Sequence, residues 1–155
     1  MRKLAVVTAV ILGTGTIGAT GAAATDAVDF TSTLMLDNCS GAVVQLPQSK
    51  PEDPANAMTN GHCAGDIIKP TGTVADVPSD RSFTLLDGAG EQLSTLHAKR
   101  IIYGTRVDTD IALYELTSTY GDIEKNGKTK VLPLSADHPK AKTPIKVVSG
   151  YWTTI

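Results

Sequence analysis

Ser82-Phe83-Thr84-Leu85-Leu86-Asp87-Gly88-Ala89-Gly90 sets the pattern for the chain. Five mostly apolar residues are followed at once by an Asp-Gly turn signal. That unit is too short for a helix and of ordinary length for a strand. It recurs outward in both directions, as short runs with β-branched members at residues 30–36, 42–46, 100–103, 111–116 and 145–148. Turn-rich stretches such as Gln48-Ser49-Lys50-Pro51-Glu52-Asp53-Pro54 separate them. No helix-period segment follows Ala24. Thr33-Leu34-Met35-Leu36 and Thr84-Leu85-Leu86 are too continuously apolar for a sheet with one wet face, and suit strands that close on a packed core. The prediction is an all-β chain, a sandwich or a barrel.

Composition narrows the function. The 155 residues include 14 Lys or Arg against 16 Asp or Glu, for a net charge of −2. Neutralising several phosphates needs a cationic excess that this chain lacks, which excludes a polybasic nucleic-acid binder. Two Phe, four Tyr and one Trp are too few for a base-stacking platform. Arg2-Lys3, a run at 4–12 broken only by Thr8, a looser Gly/Thr/Ala stretch and then Ala22-Ala23-Ala24 have the order of a secretory signal peptide. Gly13-Thr14-Gly15-Thr16 interrupts the apolar run well short of the roughly 20 residues needed to span a bilayer, so residues 1–24 are expected to be a cleaved leader and no stable membrane anchor. Cleavage removes two cations and moves the net charge from −2 to −4. The expected destination is extracellular, where thiols oxidise.

Composition shifts again after Leu116. The reading divides the mature chain into a barrel at 25–118, a polar, turn-rich connector at 119–142 and a strand-like run at 143–155 that opens a second domain. A strand as apolar as Ile145-Lys146-Val147-Val148 wants a sheet partner, and the chain reads as the N-terminal portion of something longer.

Two segments carry chemistry. In Ala57-Met58-Thr59-Asn60-Gly61-His62-Cys63 a histidine stands beside a cysteine. Structural zinc wants four ligands at paired short spacings, and Cys39, Cys63, His62 and the histidines His97 and His138, both in polar, loop-like contexts, do not supply that pattern, so no metal and no cofactor are expected. In an exported chain Cys39 and Cys63 are expected to bond to each other, which would pin the turn carrying His62. In Asp108-Thr109-Asp110-Ile111-Ala112-Leu113 the carboxylate of Asp110 opens an apolar run. Partly desolvated there, it needs a partner. An imidazole N–H is one; an aspartate that merely ends a loop before a strand is the plainer alternative.

Together these segments resemble the trypsin/chymotrypsin family of serine endopeptidases, in the form of its secreted bacterial members. Cys39-Ser40-Gly41-Ala42-Val43-Val44 is similar to the family's Cys-x-Gly-hydrophobic strand, Thr59-Asn60-Gly61-His62-Cys63 to its Thr-Ala-Ala-His-Cys motif, and Asp110-Ile111-Ala112-Leu113 to its Asp-Ile-Ala-Leu motif. Val147-Val148-Ser149-Gly150-Tyr151-Trp152 looks like the strand that opens the second barrel. The resemblance implies a trypsin-like antiparallel barrel followed by the first strand of a second, missing one. It makes His62 the general base, Asp110 the acid that orients it, and Cys39–Cys63 a disulfide. Protein or peptide substrates are implied, with a monomer as the full-length state.

The chain also departs from the family. Asn60-Gly61 replaces a pair of alanines, and no Arg/Lys-Ile-Val-Gly-Gly activation site follows the leader. No Gly-Asp-Ser-Gly-Gly or Gly-x-Ser-Gly segment occurs, and Ser149-Gly150 and Ser40-Gly41 both lie in strand-like contexts. The expectation is therefore an endopeptidase half without its nucleophile and inactive by itself. The rivals are a secreted, non-catalytic binding module of the same fold and a gene remnant.

Overall fold

A computed structural model describes residues 27–150. The expected leader and residues 151–155 lie outside the described residues. The chain is all-β, built from β1 (Thr33–Met35), β2 (Ser40–Gln45), β3 (Pro54–Thr59), β4 (Thr73–Pro78), β5 (Ser82–Leu86), β6 (Gln92–Thr105), β7 (Ile111–Thr119) and β8 (Leu132–Pro133). A 3₁₀ segment (Gly61–Ile67) follows β3, and a short helix α1 (Tyr120–Glu124) follows β7. Hydrogen bonding runs in the order β1-β5-β6-β7-β3-β2, and β2 pairs back onto β1, so six antiparallel strands close into a barrel. β4 lies outside this ring on β6, and β8 runs parallel to β2. Closure leaves the six strands no free edge inside the ring.

Period-two alternation fills the interior. On β7, Ala112, Tyr114 and Leu116 point inward and meet Leu34, Val43, Phe83, Leu85 and Ile101, all buried. Phe83 and Tyr114 meet edge to face with ring centroids 5.2 Å apart. Each fully buried Leu, Ile or Phe contributes about 1.5–3 kcal/mol relative to exposure. The 14-residue β6 serves three neighbours, β4, β5 and β7, and bends along β7 at two bulges, between Ala98 and Arg100 and between Ile101 and Tyr103.

Several elements differ from the sequence expectation. β4 and the first half of β6 point most of their side chains outward, and polar residues such as Asp76, Ser94 and Thr95 break up their apolar ones, so neither presents a continuous apolar run. His97, expected in a loop, stands on β6 with its Nδ1 3.1 Å from Ser82 Oγ. The segment after β7 is more than a connector. Thr119 and Asp122 form a capping box that starts α1, and Tyr120, Ile123 and Val131 all join the core. The buried Tyr120 hydroxyl donates to Val44 O at 3.0 Å and accepts from Asn56 Nδ2 at 2.6 Å, tying α1 to β2 and β3. The run expected to open a second sheet is not a strand over its described residues, 143–150, and Ile145 and Val147 are largely exposed.

On the outer wall, Glu115 of β7 accepts from Arg100 Nη2 at 2.7 Å and pairs with Lys99 Nζ at 3.0 Å. Arg100 first, then Lys99, hold the Glu115 carboxyl below the usual glutamate value.

Candidate active site

The site forms where three segments meet at one rim of the barrel: the start of β2, the 3₁₀ turn after β3 and the start of β7. β2 and β3 pair through Gly41↔Thr59, and β3 and β7 through Thr59↔Ala112, which sets Cys39, His62 and Asp110 side by side. Gly41 is required there, because a Cβ would lie 2.6 Å from the Met58 carbonyl oxygen.

Asp110 grips His62 twice. Its Oδ2 lies 2.5 Å from the ring Nδ1, and its Oδ1 accepts the His62 backbone N–H at 2.8 Å. Asn60 Nδ2 donates to the Asp110 carbonyl at 3.3 Å. The hydrogen bond from the His62 side chain, aided by the His62 backbone and charge, holds the Asp110 carboxyl below the usual aspartate value against the opposing effect of burial. An ionised carboxylate only accepts, so the proton sits on Nδ1 and the Nε2 lone pair faces away from Asp110. This is the tautomer a general base needs. Both side chains are open, 58% exposed for His62 and 40% for Asp110. Asp110 is thus wetter than its place before an apolar run suggested, because it lies just ahead of β7 at the rim.

Cys39 and Cys63 form a disulfide with Cα atoms 6.2 Å apart, as the resemblance implied. The imidazole Nε2 lies 3.5 Å from Cys63 Sγ and 3.9 Å from Cys39 Sγ. Ser149, the nearest sequence candidate for a nucleophile, has its hydroxyl 2.8 Å from that of Ser40. A cleft of about 400 Å³ opens beside Asp110, lined in part by Ser40, Gly41, Met58, Thr59 and Val148, and His62 is not among its walls. His138 sits exposed, outside helix and strand.

Two residues shape the site through contacts that the sequence did not announce. Arg106 reaches from the end of β6 and donates through Nη2 to the carbonyls of Gly65 (2.8 Å) and His62 (3.0 Å), fastening the turn from behind. Nothing in the spacing of Arg106 and His62 announces that contact. Packing around Gly61 explains one difference from the motif that the sequence resembles. A Cβ there would lie 2.2 Å from the Thr105 carbonyl oxygen and 3.0 Å from Asp110 Oδ1, so the alanine usual at this place does not fit this barrel.

No helix among the described residues is long and apolar enough to cross a membrane. No family model matches the chain, and no curated protein or solved structure matches it.

Proposed function

We propose that the chain is the N-terminal portion of a secreted serine-type endopeptidase, in which Asp110 orients His62 and His62 deprotonates a serine supplied by polypeptide beyond Ile155. The observation that carries the reading is the double grip of Asp110 on His62, with Oδ2 2.5 Å from Nδ1 and Oδ1 2.8 Å from the backbone nitrogen. A barrel needs no such arrangement for its stability, since both side chains are exposed and an exposed pair contributes little. For catalysis it fixes tautomer and ring orientation together.

The step runs as acyl transfer. His62 Nε2 takes the serine proton, the alkoxide attacks the peptide carbonyl, and the imidazolium, steadied by Asp110, returns the proton to the leaving amine. Water then releases the acyl group by the same route. The oxyanion donors and the side-chain pocket come with the serine. Substrates are proteins or peptides, the full-length enzyme is a monomer, and no cofactor takes part.

The leader fits export, and sequencing the amino terminus of secreted material should find a start at or near Thr25. An intact Met1 on membrane-bound protein would contradict export. The test of function is to read the coding sequence downstream of Ile155 and express the extended chain. A Gly-x-Ser-Gly segment whose serine labels with a fluorophosphonate is the expected result. An extended chain that does not label favours the non-catalytic binding module of the same fold.

A further inference from the structure

We infer that Arg106 is a positioning residue for His62, and that with Asp110 it makes the β6–β7 loop (106–110) a three-point clamp on that histidine. His62 offers its backbone N–H, its backbone carbonyl and two ring nitrogens. The loop engages three of these groups. Asp110 Oδ1 accepts the backbone N–H at 2.8 Å, Asp110 Oδ2 lies 2.5 Å from Nδ1, and Arg106 Nη2 donates to the carbonyl at 3.0 Å. The fourth group is Nε2, the nitrogen proposed as the base.

Both ends of the Arg106 arm are fixed. At its base the Arg106 N–H donates to Gly72 O at 3.2 Å, and the Val107 N–H donates to Thr105 Oγ1 at 3.0 Å. A turn at Asp108, with φ 59°, lets Arg106 and Asp110 reach the same residue. At its tip the same Nη2 also donates to Gly65 O at 2.8 Å. Gly65 breaks the 3₁₀ segment with φ 64° and ψ −139°, a conformation that glycine adopts and other residues avoid. A Cβ there would meet nothing within 4 Å, so glycine is needed for its backbone and not for space.

The guanidinium forms no ion pair among the described residues, and its Nε is buried without a hydrogen-bond partner. Burying that nitrogen is a cost, which the two charge-assisted bonds to carbonyls offset. What those bonds fix is the turn that carries His62. A base is useful only when its supporting contacts hold it in place, and a misplacement of about 1 Å can cost about 100-fold in rate. The consequence for catalysis rests on the function proposed above. The clamp itself needs no serine and is read in the 155-residue chain, so the two can fail separately.

The test is NMR of the 155-residue chain labelled with nitrogen-15 at histidine, following the His62 Nδ1–H resonance, which is assigned by its loss in His62→Ala. Arg106→Met keeps the apolar stem and removes the charge and both bonds. It should broaden or abolish that resonance through exchange with water. Arg106→Lys should restore it in part, because both bonds leave a single nitrogen. Gly65→Ala, which strains the kink without a clash, should move the same resonance. Arg100→Met is the control: it breaks the bonds to Asp76 and Glu115 on the outer wall and should lower stability while leaving the His62 resonance in place. In the chain extended through its serine half, Arg106→Met should lower kcat by about 100-fold with KM within about twofold. An unchanged resonance in Arg106→Met would overturn the inference, as would an equal disturbance in Arg100→Met or a full kcat in the extended Arg106→Met chain. If Arg106→Met does not fold, Gly65→Ala decides, and an unmoved resonance there overturns the inference. An extended parent without activity counts against the proposed function alone.

Discussion

Replacing Gly61 by alanine would bring the sequence closer to the serine-endopeptidase motif and, by the geometry, make the protein worse. The added Cβ falls 2.2 Å from the Thr105 carbonyl oxygen, where ordinary contact begins at 3.4 Å, so something must give by about 1.2 Å. The obstructing atom is backbone at the end of β6, in register with Ile111 of β7, and cannot swing aside as a side chain could. Overpacking of this kind costs about 1–3 kcal/mol. Restricting the unfolded chain returns roughly 0.4–1 kcal/mol. The net is a loss of about 1–2 kcal/mol, which for a barrel of this size lowers Tm by roughly 4–10 °C. The same Cβ crowds Asp110 Oδ1, the acceptor of the His62 N–H, so the shifted proton resonance of a hydrogen-bonded Nδ1–H should move or broaden as well. Thermal unfolding by circular dichroism and proton NMR of the imidazole measure the two effects. Asn60→Ala is the control. It removes one exposed hydrogen bond and should change stability by no more than about 0.5 kcal/mol. A Gly61→Ala chain as stable as the parent, with the Nδ1 proton unmoved, would refute the packing described around the histidine.

Three further outcomes follow from the same structure. Tyr120→Phe deprives the buried Val44 carbonyl and Asn56 amide of their partner and should cost about 2 kcal/mol in urea unfolding. Replacing Cys39 and Cys63 together by serine opens a loop of about 25 residues and should cost about 3.5 kcal/mol on the chain-entropy estimate, read as a lower urea midpoint. Glu115→Gln should lower stability by about 1 kcal/mol at pH 7. Because the folded Glu115 carboxyl is held below its ordinary value of 4.5, its contribution is present above that pH and disappears as the pH falls through the folded value. The difference between Glu115→Gln and parent should therefore shrink in acid, and a difference that is constant with pH would contradict the assignment.

The strands that line the barrel were legible because burial leaves a mark. Residues 82–86 and 111–116 alternate or run apolar in proportion to what they bury. β4 and the first half of β6 left no such mark, since they bury few side chains and their pairing is decided by backbone hydrogen bonds that composition does not record. α1 was legible in principle through Thr119 and Asp122, three residues apart, but a five-residue helix has no periodicity to notice. The run at 143–150 shows the converse, for apolar residues make a strand only where a neighbour offers a ladder. At the site, Cys39, His62, Cys63 and Asp110 were found from their motifs. Arg106 and the steric role of Gly61 depend on contacts between strand ends that only folding brings together.

Peptide hydrolysis by the chain extended through the proposed downstream serine half decides whether Asp110 and His62 act, as proposed, as one catalytic pair. Asp110→Asn is predicted to lower kcat by roughly 10⁴-fold by leaving the imidazole in the wrong tautomer. His62→Ala is predicted to reduce it at least as far, with the fold of both variants unchanged by circular dichroism. Hydrolysis in either variant within about tenfold of the parent would show that the pair is merely structural, since such a pair costs the reaction little.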